Sequence, residues 1–170
     1  MRPYIALFTV LVAVVILAAA APARAQSVLI IDRERDGEVT LAPPLPVRDG
    51  LSDALYGEGL IVFDLPADAV PGTPAEILRL ARTAGADVVV QVDTTYTVVP
   101  GTTPRRIAAR GTYTATSVRT GASLASGAVD ATNANREKDV DRTRLGQELG
   151  GLIAAKVGAA IAARAASPAP

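Results

Sequence analysis

The side chains that could do chemistry in this chain are carboxylates, two lysines, serines, threonines and tyrosines. Its 170 residues include no histidine and no cysteine. That removes an imidazole general base, a thiol nucleophile and any His/Cys zinc site, and with them the Ser-His-Asp arrangement. A serine paired with Lys138 or Lys156 is the remaining nucleophilic option. No S-x-x-K spacing is present, and Lys156 falls within a long helical pattern. Asp93 stands alone among threonines, whereas glycosidic chemistry takes two carboxyls at a defined separation. Asp32-Arg33-Glu34-Arg35-Asp36-Gly37-Glu38-Val39 opens like a calcium loop, with acids at positions one, three, five and seven and Gly37 at six. Position twelve is Pro43 instead of a bidentate glutamate, and two arginines offset the charge, so the segment reads as a solvated loop. The expectation is a protein that is not an enzyme and has no cofactor or metal site.

Binding is the chemistry that remains. Period-two alternation puts Thr95 and Thr97 on one predicted strand and Thr112, Thr114 and Thr116 on the next. All five lie on the face opposite the apolar residues, with Arg110 at the edge of the group. Threonines suit a strand whether or not anything binds, so an ordinary solvated sheet stands beside the reading of a docking face for a protein partner. Arg105, Arg106, Arg110 and Arg119 could meet an anionic group or form a solvated face. Tyr96 and Tyr113 share the core side of adjacent strands and read as a cross-strand pair.

The elements that would position these residues are legible from apolar runs and turn signals. Ser27–Asp32 is a short apolar strand, Arg33–Pro46 a charged, proline-rich loop, and Val47–Glu58 a helix closed by Gly59. Leu60–Asp64 is a second strand, and Pro66–Gly72 a loop. Thr73-Pro74-Ala75-Glu76 is a capping box with proline at the first helical position, opening a helix that Gly85 ends. Asp87–Val99, Arg105–Val118 and Ala122–Ala131 are three strands, joined by a Pro/Gly turn and by Arg119-Thr120-Gly121. A last helix runs from about Asp139 to Ala166. Leu145, Leu149, Ile153, Val157 and Ile161 form its apolar row, supported by Leu152. Gly146, Gly150, Ala154, Gly158 and Ala162 form the adjacent row. Each interior glycine costs about 0.8–1 kcal/mol against alanine, which close approach of a neighbouring backbone would justify.

The amino terminus reads as an export signal. Arg2 precedes an uncharged run from Pro3 to Ala23, and Ala23-Arg24-Ala25 is a small-x-small cleavage site. The expected organisation is a signal peptide over 1–25, cut after Ala25, a single α/β domain over 26–166 and a disordered tail over 167–170. An uncleaved membrane anchor is the alternative, since the run is long enough to span. Cleavage would leave 15 basic and 17 acidic residues, a net charge of −2. That balance argues against nucleic acid as a partner.

The order of elements carries three markers: Gly59-Leu60-Ile61-Val62-Phe63-Asp64 after the first helix, Gly85-Ala86-Asp87-Val88-Val89-Val90 after the second, and Thr120-Gly121 in the hairpin. With these markers the chain, over roughly 27–166, resembles a group of small envelope domains. They include the amino-terminal domain of TolB, the periplasmic part of curli-secretion pores, a flagellar-assembly domain and lipoprotein activators of penicillin-binding proteins. The resemblance implies an adaptor or assembly module without catalytic residues. No cysteine is available to carry a lipid, which sets the chain apart from the lipoproteins. The expected fold is α/β: a five-stranded mixed sheet with three helices on one face and an antiparallel meander in the second half. The expected function is a noncatalytic periplasmic adaptor or envelope-assembly accessory protein with an envelope protein partner. A periplasmic small-ligand or carbohydrate-binding protein is the alternative, and a membrane-anchored protein with an uncleaved signal the third reading.

Overall fold

The strand β1 (Ser27–Asp36) is an interior strand, one in from the edge of the sheet. In this computed structural model, which describes residues 26–41, 45–65, 72–101, 106–132 and 142–166, Val28 to Ile31 are each at most 3% exposed. An apolar run of this kind suits a parallel strand covered on both faces. β1 pairs in parallel with β3 (Ile61–Asp64) on one side and with β4 (Val88–Val99) on the other. β4, β5 (Arg106–Ser117) and β6 (Ser123–Thr132) form the antiparallel meander. The signal segment 1–25 and the tail 167–170 lie outside the described residues, as does most of the Pro66–Gly72 loop.

β1 is longer than the apolar run suggests. It continues through the charged residues to Asp36, turns at Gly37 (φ 62°) and pairs with the two-residue strand β2 (Val39–Thr40). The solvated-loop reading of Arg33–Pro46 therefore fails over 33–36 and 39–40. Here the alternation is between two kinds of charge. Asp32 and Glu34 point into the helix-covered face, 8% and 0% exposed, while Arg35 is exposed. A long parallel partner, paired as far as Asp36 opposite Tyr96, holds this half of the strand in the sheet.

Three helices cover the sheet: α1 (Pro46–Gly57), α2 (Pro74–Ala84) and α3 (Arg142–Ala166). They do not all lie on one face. α1 and α3 pack on the side of Val28, Ile30, Val88, Val90 and Val92. α2 packs Ile77 and Ala81 on the other side, against Leu29, Ile31 and Val89. The cause is handedness. The chain moves one way across the sheet from β1 to β3, then back past β1 to β4. Right-handed crossovers in opposite directions place their helices on opposite faces.

The capping box of α2 forms as the sequence indicates. The Glu76 amide donates to Thr73 Oγ1, the Thr73 amide donates to Glu76 Oε2, and Gly85 closes the helix at φ 75°. The Thr73 hydroxyl also donates to Glu76 Oε2, and with the Thr73 amide it holds the exposed Glu76 carboxyl below its ordinary range; nearby Arg79 adds to the effect.

α3 lies beside α1 and runs in the same direction. Its apolar row of Leu145, Leu149, Ile153, Val157 and Ile161 is buried, as are Gly146, Gly150, Ala154 and Gly158. A methyl carbon at Gly150 would fall against the Val47 carbonyl and 2.6 Å from Leu51 N; one at Gly50 would lie 2.6 Å from Gln147 Cα. Glycines on both helices thus let two backbones touch. Leu152, expected to support the apolar row, is 44% exposed, and Ala162 is exposed too, because α3 turns both outward.

Candidate functional site

Strand register brings the five threonines and Arg110 together. Thr95 sits opposite Arg110, which sits opposite Asp130; Thr112 lies between Asp93 and Ala128, and Thr114 between Gln91 and Ser126. Thr97 pairs with Ala108 one row beyond. Thr95, Thr97, Arg110 and Thr112 are exposed, while Thr114 and Thr116 are half-buried. The gradient has a cause: Thr116 pairs with Val89, which belongs to the core beneath α2. Arg110 is central in the group instead of marginal. Its Nη1 lies 3.8 Å from Asp130 Oδ1, with both side chains about two-thirds exposed.

Tyr96 and Tyr113 do face the core side, but they are not opposite one another. Tyr113 pairs with Val92 and Tyr96 with Ala109. The Tyr113 ring lies over Gly127, where a methyl carbon would meet its hydroxyl at 3.1 Å. Tyr96 instead takes part in a polar cluster that the residue patterns did not reveal.

That cluster occupies the end of the sheet beneath the amino-terminal turns of α1 and α3. Tyr96 Oη donates to Glu34 Oε2 at 2.6 Å, and the Val47 amide donates to Glu34 Oε1 at 2.8 Å. α1 begins at Leu45, whose side chain cannot cap it. Glu34 takes that role from across the fold, and the positive end of the helix favours a carboxylate there. At the neighbouring helix start, Arg142 donates to Asp36 Oδ2 and its guanidinium lies 5.5 Å from the centre of the Tyr96 ring. Burial, the Glu34 bond and the neighbouring carboxylates hold the Tyr96 hydroxyl above its usual range.

Asp32 completes the cluster. Its side chain lies two residues before Glu34 on the same face of β1, and neither of its oxygens has a protein hydrogen-bond partner. Burial, followed by the charge of Glu34, pushes its carboxyl up to about 9; Arg48 opposes the shift. Among the described residues, buried side-chain polar atoms without a hydrogen bond occur on Asp32, Arg48, Ser52, Thr94 and Arg142. The calcium-like spacing of Asp32, Glu34 and Asp36 thus lies along a strand and does not wrap around an ion. Among the described residues no group of three or more potential acidic ligands converges on a metal position. What could have betrayed the cluster in the sequence is the alternation of acid and base in Asp32–Asp36, a period of two written in charges.

At the opposite end of the sheet is an open cleft of about 270 Å³. Gln26, Ser117, Arg119 and Arg164 supply its polar wall, and Val88, Leu124 and Ile161 its apolar wall. Asp87, also at the cleft, accepts bonds from the Ser27 amide and hydroxyl. Arg119 is thereby separated from Arg110, which stands on the open face; Arg105 lies outside the described residues.

No protein-family model matches this chain, and no curated protein matches it in sequence. Solved structures with a similar fold exist. The hypothetical protein CT253 from Chlamydia trachomatis aligns with a TM-score of 0.60 at 17% identity, over 81% of this chain and 98% of that one. PelC from Paraburkholderia phytofirmans, solved as a dodecamer, aligns at 0.56 and 14% identity, over 78% of this chain and 86% of that one. TolB from Acinetobacter baumannii aligns at 0.49 and 14% identity, over 84% of this chain but 30% of TolB. Lipoproteins are also among the similar structures. The likeness is one of fold alone.

Proposed function

We propose that this chain is a noncatalytic adaptor or assembly-accessory protein of the cell envelope, and that it binds an envelope protein through the open face of its sheet. The observation that carries this reading is the contrast in cover. α1 and α3 close one face of β4, β5 and β6, while Thr95, Thr97, Arg110 and Thr112 remain exposed on the other. A face of short, branched, polar side chains loses little side-chain entropy on docking and offers methyls and hydroxyls together. Its mixed charges suit a polar protein surface better than a lipid bilayer. Export fits the same picture: β1 begins at Ser27, so cleavage after Ala25 would leave the strand whole.

The test is crosslinking in intact cells with the double variant Thr97→Lys/Thr112→Lys. Both side chains are exposed, so the variant should fold while losing its crosslinked partner. A folded variant that retains the partner would exclude this face. The mass of the protein recovered from the envelope tests export separately: a chain beginning at Gln26 supports it, and a full-length chain held in membranes supports the anchor.

A second reading places a small acidic ligand in the cleft between Arg119 and Arg164. Arginine offers paired donors suited to carboxylate or phosphate. Saturable binding of such a ligand, lost in Arg164→Ala while the Thr97→Lys/Thr112→Lys variant keeps it, would favour this reading over the first.

A further inference from the structure

The open face leaves Asp32 and Glu34 unexplained. Two acids two residues apart on one face of a strand point under the same helix pair, and both are more than nine-tenths buried. Glu34 has two donors, Tyr96 Oη and the Val47 amide. Asp32 has none. Thr94, 1% exposed and directly opposite Glu34 on β4, also leaves its hydroxyl without a partner. Two neighbouring carboxylates in such a place cannot both ionise without a large penalty. The groups facing Asp32 do not supply enough compensation. Arg48 on α1 is shared with Asp49 and Asp64, at 3.7 and 4.0 Å. Arg142 on α3 is taken by Asp36. On β4 the titratable neighbour is Tyr96, a donor already committed to Glu34.

We infer that Asp32, buried beside Glu34 and without a donor, keeps its proton at neutral pH, and that this proton holds the amino-terminal turns of α1 and α3 down on the sheet. The inference uses the fold alone and stands apart from the docking proposal. With Asp32 neutral, Glu34 remains the cap of α1 and the acceptor for Tyr96. When Asp32 loses the proton, its carboxylate faces Glu34 across a dry gap. Relief comes from letting water in, which means lifting the first turn of α1 and, with it, the glycine contact to α3. The device therefore loosens the helix layer as pH rises. In an exported protein that pH would be the pH of the surroundings.

The sign follows from linkage. Asp32 is raised in the folded state from 3.8 to about 9. The unfolded chain gives up this proton near pH 4 while the folded chain keeps it. The stability it contributes is fully present below about pH 4 and is lost progressively as pH rises toward 9.

The experiment compares the chain with Asp32→Asn, which keeps the shape and a hydrogen-bond donor but cannot ionise. Thermal melts at pH 5, 7 and 9 should show the parent losing about 5 °C or more relative to the variant across that range. Amide exchange over 46–57 and 142–150, corrected for the intrinsic pH effect, should quicken with pH in the parent and not in the variant. Parallel melting curves, or exchange that responds equally in both, would overturn the inference. Should Asp32→Asn fail to fold, the carboxyl carbon resonance of Asp32 in the parent decides. A protonated shift at pH 7 supports the retained proton, and an ionised shift at pH 7 refutes it.

Discussion

Two polar contacts sit on opposite faces of one sheet, and they could hardly differ more. On the covered face Tyr96 Oη meets Glu34 Oε2 at 2.6 Å with both residues at most 1% exposed. On the open face Arg110 and Asp130 approach to 3.8 Å with about two-thirds of each side chain in water. The second pair carries two full charges, yet water screens it and competes for every donor, so it contributes little. The first is a single hydrogen bond to an acidic side chain, but water has been removed from around it. Loss of one partner there strands the other in the dark of the core. The comparison teaches that depth, more than formal charge, decides which polar residues hold this fold together. The covered face holds the structure, and the open face contributes little to stability.

The contrast can be broken most forcefully at the helix pair that makes the cover. Gly150→Leu would drive a branched side chain into the Val47 carbonyl and the Leu51 amide. These are backbone atoms on the packed side of a helix and cannot rotate away. The expected loss is about 3 kcal/mol, at the upper end of overpacking effects, read as a fall in the urea midpoint. A neutral Gly150→Leu would mean that α1 and α3 are not in contact there.

Next in size is Glu34→Ala. It leaves the Tyr96 hydroxyl and the Val47 amide without an acceptor and removes the cap of α1. A loss of about 2–3 kcal/mol is expected, smaller than for Gly150→Leu because removing Glu34 also relieves Asp32. Equilibrium urea unfolding measures it, and restoration of part of the loss by Glu34→Gln would identify the acceptor role. An effect below about 0.5 kcal/mol would remove the distinction between the faces.

How much of this was legible beforehand depends on what writes the signal. The apolar strand at Val28–Ile31, the capping box at Thr73–Glu76, the meander and the glycine row of α3 are local patterns, and the chain spells them out within a few residues. The threonine face was legible as well, since alternation alone gathers Thr95, Thr97, Thr112 and Thr114 on one side. Three features were not. The opposite placement of α2 follows from the order of strands in space, which no local pattern records. The strand character of Arg33–Asp36 is not local, since charge signals exposure until a long parallel partner and two helix ends cover those acids. The cap of α1 joins Glu34 to Val47 through a fold that must already exist, so no residue next to the helix start announces it.

The smallest expected effect makes the sharpest test of the comparison. Arg110→Ala removes a full charge from the centre of the open face, and Arg110 has Thr95 and Asp130 as its cross-strand neighbours. If exposure governs, stability should change by no more than about 0.5 kcal/mol. A double-mutant cycle with Asp130→Ala isolates the pair from the loss of the long arginine stem. Its coupling should be about 0.2–0.5 kcal/mol and should vanish in high salt, because water and ions reach both groups. A coupling above about 1 kcal/mol that survives high salt would show that this face is drier than its exposure indicates. The same variant then separates the two roles of the sheet. It should lose the crosslinked partner, if Arg110 contributes to docking, while melting at nearly the same temperature as the parent.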